Sequence, residues 1–258
     1  MNTNAEQINS IFFPKLSDYD RAIKYPYLTP DYAFSFFKGK FLKGIHLDLE
    51  RRIPILSVGS NRAPMQLQRK FSFNQDICVT PAILYDSDIV YAASIAAYGS
   101  MPATQWPSIG TEVDLNVLWL TEKQLHIMHL TEAVGVAYNF VKMKSGTVKI
   151  KDFQFSGDIY GYVSVAGAFP FKLNSPFRLA AILSSNTKLE AIYEEVALDF
   201  LMKFIETDKT ILPEWIKKVI NDKDYRIQLH KKLKSIAIKP DQPNWQTIDI
   251  NINEEMVL

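Results

Sequence analysis

The chain has 258 residues, which is long enough for one generous domain or for one domain with an appendage. Its net charge of +1 and its scattered basic residues exclude the electrostatic footprint of a nucleic-acid-binding protein, and no apolar run is long enough to span a bilayer. The single cysteine, Cys78, excludes an intramolecular disulfide and a cysteine-rich metal site. Because the N-terminus lacks the layout of a signal peptide, we expect a cytoplasmic protein with neither nucleic-acid nor membrane partners.

The first 45 residues are rich in aromatic side chains among prolines and polar residues. We expect this N-terminal extension, 1–45, to lie over the surface of the main domain. Thr29 followed by Pro30 is typical of a helix start, and the pattern predicts a helix that continues through residues 32–37.

Residues 53–71 read as a buried strand, a tight turn and a short helix. The apolar run 53–58 predicts the strand, Gly59-Ser60-Asn61 predicts the turn, and Pro64 opens the helix. Such a layout points several backbone N–H groups at one spot, where a carboxylate or a developing oxyanion can bind.

A β-rich block follows. Strands are predicted over 77–84 and 89–97, separated by a turn at 85–88, and a loop is predicted around 107–110 before an alternating strand at 112–120. Thr121 and Gln124 form a capping-box pattern for a helix whose inner face includes Met128 and His129, and Glu132 falls just past its end. Further strands are predicted at 138–143, 147–150 and 159–165.

The predicted secondary structure becomes mainly helical after residue 170. Apolar residues at helical spacing predict a long amphipathic helix over 188–205, and further helices are predicted from Pro213 and over 222–234. Ile248, Ile250 and Ile252 alternate as an edge strand would. The elements together predict an α+β domain over 46–170 with a helical C-terminal extension, 171–258, packed on it.

Three features in a row resemble the γ-glutamylcyclotransferase-like superfamily. They are the Gly59-Ser60-Asn61 turn, the segment from Ala103-Thr104 through the loop PSIGTEV to the strand ending at Trp119, and the helix segment that leads to Glu132. The longer pattern looks most like larger bacterial members of that family. One departure is clear, since the aromatic residue that precedes the family's Gly-Ser-Asn is Val58 here.

The resemblance implies a mixed β-barrel with a ligand cavity, flanking helices and cofactor-free chemistry. The α-amine of a γ-glutamyl group attacks its own γ-carbonyl, closes 5-oxoproline and expels an amine. The resemblance assigns the general acid/base to Glu132. It assigns substrate binding to the three residues of the turn and to four further positions, so that the set is Val58, Gly59, Ser60, Asn61, Tyr98, Gly99 and Tyr138.

Other functions remain open at this stage. His126, His129 and Glu132 could suggest a metal site, but positions i and i+6 of a helix diverge and no further ligand cluster completes one. Ser60 could be a nucleophile, although the motif lacks the second glycine of Gly-x-Ser-x-Gly. The main alternative is a non-catalytic protein that binds a small acidic metabolite in the same cavity, or a structural protein whose helical additions pair subunits. The helix at 188–205 either packs back on the domain or forms a homodimer contact.

Overall fold

The computed structural model describes residues 11–172, 174–206 and 209–250. Helices in this part of the chain are α1 (Asp18–Ile23), α2 (Pro64–Phe71), α3 (Glu122–Thr131), α4 (Glu194–Ile205), α5 (Leu212–Asn221) and α6 (Lys223–Ile236). The strands are β1 (Phe34–Phe37), β2 (Lys40–Lys43), β3 (Ile53–Ser57), β4 (Ile77–Tyr91), β5 (Ala103–Leu120), β6 (Tyr138–Met143), β7 (Val148–Ile150), β8 (Tyr160–Ser164), β9 (Arg178–Leu179), β10 (Ser184–Ser185), β11 (Ala191–Ile192) and β12 (Trp245–Thr247).

One large mixed sheet organises the molecule. Its main path runs β11-β9-β4-β5-β3-β8-β6-β12, and the long antiparallel pair β4–β5 forms its centre. The β3–β8 and β11–β9 pairs are parallel. The sheet curls so that its β12 end approaches β4. Asn244, just before β12, donates a hydrogen bond to the carbonyl of Asp86 within β4. The predicted α+β class, a mixed sheet with flanking helices, is confirmed.

Two predicted element boundaries are wrong in the β-rich block. Residues 77–91 form one strand with an irregularity between Tyr85 and Ser87, and the predicted loop at 107–110 belongs to β5. Asp86 takes a positive φ of 55°, so the turn-like residues introduce a bulge and the strand continues past it. The sequence signals for turns were real, but pairing along the whole length of β4 and β5 overrides them.

The N-terminal segment is built into the fold. The helix predicted over residues 32–37 is wrong, because Phe34–Phe37 forms β1 between β2 and β4. Phe34 and Phe36 are fully buried in a cluster with residues of the sheet and of α2, including Leu67 and Phe71. Burial of these aromatic side chains outweighs the local helix-start signal.

The C-terminal helices also share the main core. Ala197, Leu198 and Leu201 of α4 and Trp215 of α5 are buried in one cluster with residues of β4 and β5. The helix predicted over 188–205 begins only at Glu194, since Ala191–Ile192 forms β11.

The sequence left open whether the apolar face of that helix packs on the domain or contacts another subunit. Side chains at helical spacing, Tyr193, Val196, Phe200 and Phe204, are 64%, 55%, 40% and 46% exposed, and the opposite face is buried. The helices predicted from Pro213 and over 222–234 are confirmed as α5 and α6. Ile248 and Ile250 lie beyond β12 and pack on the core, while Ile252 falls outside the described residues. Over the described ranges, no helix has the length and apolar character that a membrane span requires.

Candidate functional site

A cavity of about 420 Å³ opens where β3 ends. The short 3₁₀ helix Ser60–Arg62 and the start of α2 form one wall, and the C-terminal end of α3 forms another. The segment that follows β4 and the first residues of β5 complete the lining. The residues that line the cavity include Tyr25, Val58, Gly59, Ser60, Asn61, Gln66, Lys70, Ser94, Tyr98, Glu132, Tyr138 and His230.

Glu132 lies at the C-cap of α3 and points into this cavity. Its side chain is 12% exposed, and its Oε1 accepts a hydrogen bond from Asn61 Nδ2 at 3.0 Å. The turn after β3 and the end of α3 therefore meet at one carboxylate, although 71 residues separate the two side chains along the chain. The capping box that starts α3, with both of its reciprocal hydrogen bonds formed, sets where the helix begins.

Lys70 is a site residue that the sequence reasoning missed. Its Nζ forms an ion pair with Glu132 Oε1 and also lies 3.4 Å from Met128 Sδ. Its side chain is 9% exposed, so the pair is screened much less than a surface ion pair. Gln66 lines the same cavity one helical turn earlier. Two polar residues at i and i+4 on the otherwise apolar side of α2 were the signal that could have identified this face.

Gly59 is required by a close approach. A Cβ at this position would lie 2.2 Å from the Tyr25 hydroxyl oxygen. That oxygen accepts a hydrogen bond from the Ala103 amide at 2.9 Å. Tyr25 thus brings an aromatic side chain to the turn, where Val58 stands in place of the family aromatic. No local sequence pattern indicates this contact, because Tyr25 lies far from the turn along the chain.

Tyr98 and Tyr138 place two further phenols around the cavity. Tyr138 donates to the carbonyl of Ala103 at 3.2 Å. Burial raises the pKa of Tyr138, and the Glu132 charge adds to the shift. Burial likewise raises the pKa of Tyr98, with smaller contributions from Tyr27 and Glu132. Both hydroxyls therefore stay protonated near neutral pH and can act as hydrogen-bond donors.

The structure gathers most of the predicted site residues into one place. Val58, Gly59, Ser60, Asn61, Tyr98, Glu132 and Tyr138 all line the cavity. Gly99 is not part of this lining, and its φ is +88°. A Cβ on Gly99 would meet Ile216 at 3.1 Å and Ala22 at 3.3 Å, so this glycine faces the packing of α5 against α1.

His230 is a second residue that the sequence did not indicate. It reaches the cavity from α6, and its Nδ1 lies 3.3 Å from Ser94 Oγ. Burial lowers the pKa of His230, and the Arg226 charge lowers it further, so its imidazole is neutral near neutral pH. No sequence signal links residue 230 to the turn at 59–61, because only the packing of α6 brings them together.

His129, one of the residues that could have suggested a metal site, is engaged in the core. The Nδ1 of His129 lies 2.9 Å from the Tyr162 hydroxyl, and its ring packs edge-on against Phe140 in the core. Over residues 11–172, 174–206 and 209–250, no group of three or more His, Cys, Asp or Glu side chains is placed to hold a metal ion. Burial raises the pKa of Cys78 to about 11, as expected for a core thiol.

No family model matches the sequence, and no curated protein matches it significantly. Solved structures similar to the chain include a γ-glutamyl cyclotransferase, with 13% identity, a TM-score of 0.37 and coverage of 80% of this chain and 98% of that one. An uncharacterised human protein has 15% identity, a TM-score of 0.38 and coverage of 80% and 99%. An Arabidopsis thaliana protein has 18% identity, a TM-score of 0.37 and coverage of 48% and 75%.

A γ-glutamyl cyclotransferase is thus among the structures similar to this chain, as the motifs in the sequence led us to expect. Such similarity concerns the fold alone and carries no argument about activity.

Proposed function

We propose that this chain is a γ-glutamylcyclotransferase-like enzyme that converts a γ-glutamyl amine or amide into 5-oxoproline and the free amine. The observation that carries the proposal is the position of Glu132, whose carboxylate lies inside a cavity against the Gly59–Asn61 turn. A carboxylate held beside a turn rich in backbone donors is the arrangement that this reaction needs.

The reaction is intramolecular, so positioning of the substrate supplies much of the acceleration. The substrate α-nitrogen forms a bond to the γ-carbonyl carbon, and the bond from that carbon to the leaving nitrogen breaks. Glu132 removes one proton from the α-ammonium group and passes it to the leaving nitrogen as the bond from carbon to that nitrogen breaks. It then removes a second proton from the ring nitrogen, and the released amine takes up that proton. No cofactor or oxidant enters this balance.

The neighbours of Glu132 have distinct parts in this mechanism. Asn61 and Lys70 both donate to Oε1, and among the described residues no hydrogen bond occupies Oε2, which is therefore directed to the substrate. Backbone N–H groups around Gly59–Asn61 hold the substrate carboxylate or the oxyanion. The phenol of Tyr98 supplies a further donor within the cavity, whereas the Tyr138 hydroxyl already donates to the Ala103 carbonyl.

The test is 5-oxoproline release from a panel of γ-glutamyl compounds. Glu132→Gln keeps the shape of the side chain and removes the base, so we expect release to fall roughly 100-fold to 10,000-fold. Glu122→Gln, an exposed position on the same helix, is the matched control and should keep full activity. Release that is equal in wild type and in Glu132→Gln would overturn the assignment.

A non-catalytic role in binding a small acidic metabolite is the second candidate. It is favoured by Val58 in place of the family aromatic and by the ammonium group of Lys70 inside the cavity. No release from any compound by the wild type, together with equal ligand binding by wild type and Glu132→Gln, would establish this alternative. Four further expectations from the sequence stay predictions. They are the cytoplasmic location, the bacterial branch of the family, the lack of nucleic-acid and membrane partners, and a homodimer.

A further inference from the structure

A second cavity of about 230 Å³ lies on the other side of the same turn. Asn61 reaches Glu132 in the first cavity, while the next residue, Arg62, lines the second. Residues 26–31 form one wall, and Asp114 to Asn116 of β5 form another. Lys151 also lines this cavity, which we call the Arg62 cavity.

The guanidinium of Arg62 is incompletely paired. Its Nε and Nη1 are buried and have no hydrogen-bond partner in the described part of the chain. Burial lowers the pKa of Arg62 to about 10, and the charge of Asp114 opposes the shift only in part. A buried cation without a hydrogen-bonded anion is costly, and proteins rarely leave one uncompensated.

Two other polar atoms of the same lining are also buried without a partner. They are the Thr29 hydroxyl oxygen and Asn116 Oδ1. The carboxylate of Asp114 is not the missing partner of these groups, because its Oδ1 forms an ion pair with Lys151. Three residues from three separate segments thus leave donors and an acceptor unused around one space, which is the pattern expected of a binding site seen without its ligand.

We propose that the Arg62 cavity binds a small monocarboxylate that also carries an N–H or O–H donor. The guanidinium of Arg62 and the hydroxyl of Thr29 donate to the carboxylate, and Asn116 Oδ1 accepts from the donor of the ligand. A dianion such as inorganic phosphate fits less well, because Asp31 adds a negative charge to the same lining and Lys151 is already paired with Asp114. This site is independent of the proposed cyclisation.

Nuclear magnetic resonance of the full chain tests the proposal directly, because the Arg62 Nε–H group is itself a probe. Glycine, propionate and inorganic phosphate are titrated in turn at constant ionic strength, with sodium chloride as the reference. We expect glycine to shift the Arg62 Nε–H resonance most, propionate less and phosphate least. A wild-type Arg62 resonance that responds to none of the three would overturn the proposal.

Variants separate this cavity from the first one. Because Arg62→Met removes the Nε–H probe, binding to the variants is followed through the backbone amide resonances of the cavity lining. Arg62→Met should weaken glycine binding at least about tenfold, since a hydrogen bond to a charged group is lost. Lys70→Met removes the cation of the first cavity and is the matched control that should leave this binding unchanged. If Arg62→Met does not fold, Thr29→Val provides a smaller change with the same expected direction. Binding that depends on Lys70 and not on Arg62 would assign the ligand to the first cavity and refute the site.

Discussion

At the scale of single residues, the cavity is held together by contacts between side chains that are distant in sequence. Glu132 and Lys70 form a largely buried ion pair, and Asn61 adds a hydrogen bond to the same carboxylate oxygen. Removing either donor leaves a buried carboxylate less well compensated, and that cost is larger than for an exposed pair. The carboxylate of Glu132, the proposed acid/base group, is therefore held by contacts from two separate segments of the chain.

The contact between Gly59 and Tyr25 gives a prediction at this scale. Gly59→Ala would push a methyl group into the Tyr25 hydroxyl, so we expect a loss of about 1–3 kcal/mol in the free energy of unfolding. Tyr25→Phe removes the oxygen but leaves the Ala103 amide unpaired, at a cost of about 1–3 kcal/mol. Urea denaturation of both variants and of the double variant measures the coupling.

The double variant should lose less stability than the two single losses combined, because Tyr25→Phe removes the atom that clashes. Gly161→Ala is the matched control, since the nearest atom to its added Cβ is 3.6 Å away, and it should change stability little. Strictly additive losses in the double variant would contradict the proposed steric contact.

Residues of the cavity could be predicted from the sequence only where a short local motif contains them. The Gly59-Ser60-Asn61 turn and the position of Glu132 after a capped helix follow from short patterns, and the structure places both at the cavity. Tyr25 and His230 reach the cavity from separate elements, so no local pattern indicates them. For Lys70, the polar pair that it forms with Gln66 on α2 was a local signal that went unused. Gly99 shows the converse, because it was predicted to bind substrate but faces the packing of α5 against α1, while its neighbour Tyr98 lines the cavity.

At the scale of elements, α3 is the helix whose start the sequence defined best. The Thr121 hydroxyl accepts from the Gln124 amide at 3.3 Å, and the Gln124 side chain accepts from the Thr121 amide at 2.9 Å. Gln124 also donates to the Asp76 carbonyl at 3.0 Å, which ties the helix start to the residue before β4. This capping box fixes the helix whose other end carries Glu132.

Thr121→Ala should therefore lower the free energy of unfolding by about 1 kcal/mol, the usual cost of losing an N-cap side chain. Thr121→Ser retains the hydroxyl and should recover most of the loss. Chemical denaturation followed by circular dichroism makes the comparison. Equal stability of the alanine and serine variants would show that the hydroxyl contributes nothing to this helix.

Element type was wrong where long-range pairing competed with local signals. Thr29-Pro30 predicts a helix over the residues that follow, but β1 joins the edge of β4 and buries Phe34 and Phe36. Turn residues at 85–88 predict two strands, but the β4–β5 pairing absorbs them as a bulge. In both cases, sheet hydrogen bonds and apolar burial exceed a propensity worth a few tenths of a kcal/mol per residue.

At the scale of the whole molecule, a buried carboxylate connects segments from across the chain. Glu194 at the start of α4 accepts a hydrogen bond from the Met101 amide at 2.6 Å, and its Oε2 is buried without a partner among the described residues. Burial raises the pKa of Glu194 well above its ordinary value. The folded protein therefore retains a proton there that the unfolded chain releases.

This linkage predicts how stability depends on pH. Because the folded state binds more protons, the contribution of Glu194 to stability is fully present below the ordinary glutamate pKa of about 4.3 and is lost as pH rises toward the raised value. Glu194→Gln keeps the acceptor for Met101 and cannot ionise, so its stability advantage over wild type should grow with pH across that window.

Unfolding free energies of wild type and Glu194→Gln between pH 4 and pH 8 measure this difference. Glu195→Gln, an exposed glutamate one position further on, is the control and should follow the wild-type profile. Parallel profiles for wild type and Glu194→Gln would mean that Glu194 titrates equally in both states.

The sequence by itself determined the α+β class, the strand–turn–helix around Gly59, the capped helix α3 and the position of Glu132 beyond its end. These features depend on capping chemistry, turn residues and hydrophobic periodicity, which act within a few residues of one another. Only the tertiary structure decided which face of α4 is buried, that β4 and β5 run through their predicted turns, and that Tyr25, Lys70 and His230 meet at one cavity. Those outcomes depend on burial and pairing between residues far apart in the chain, and their free energy exists only once the whole core has formed.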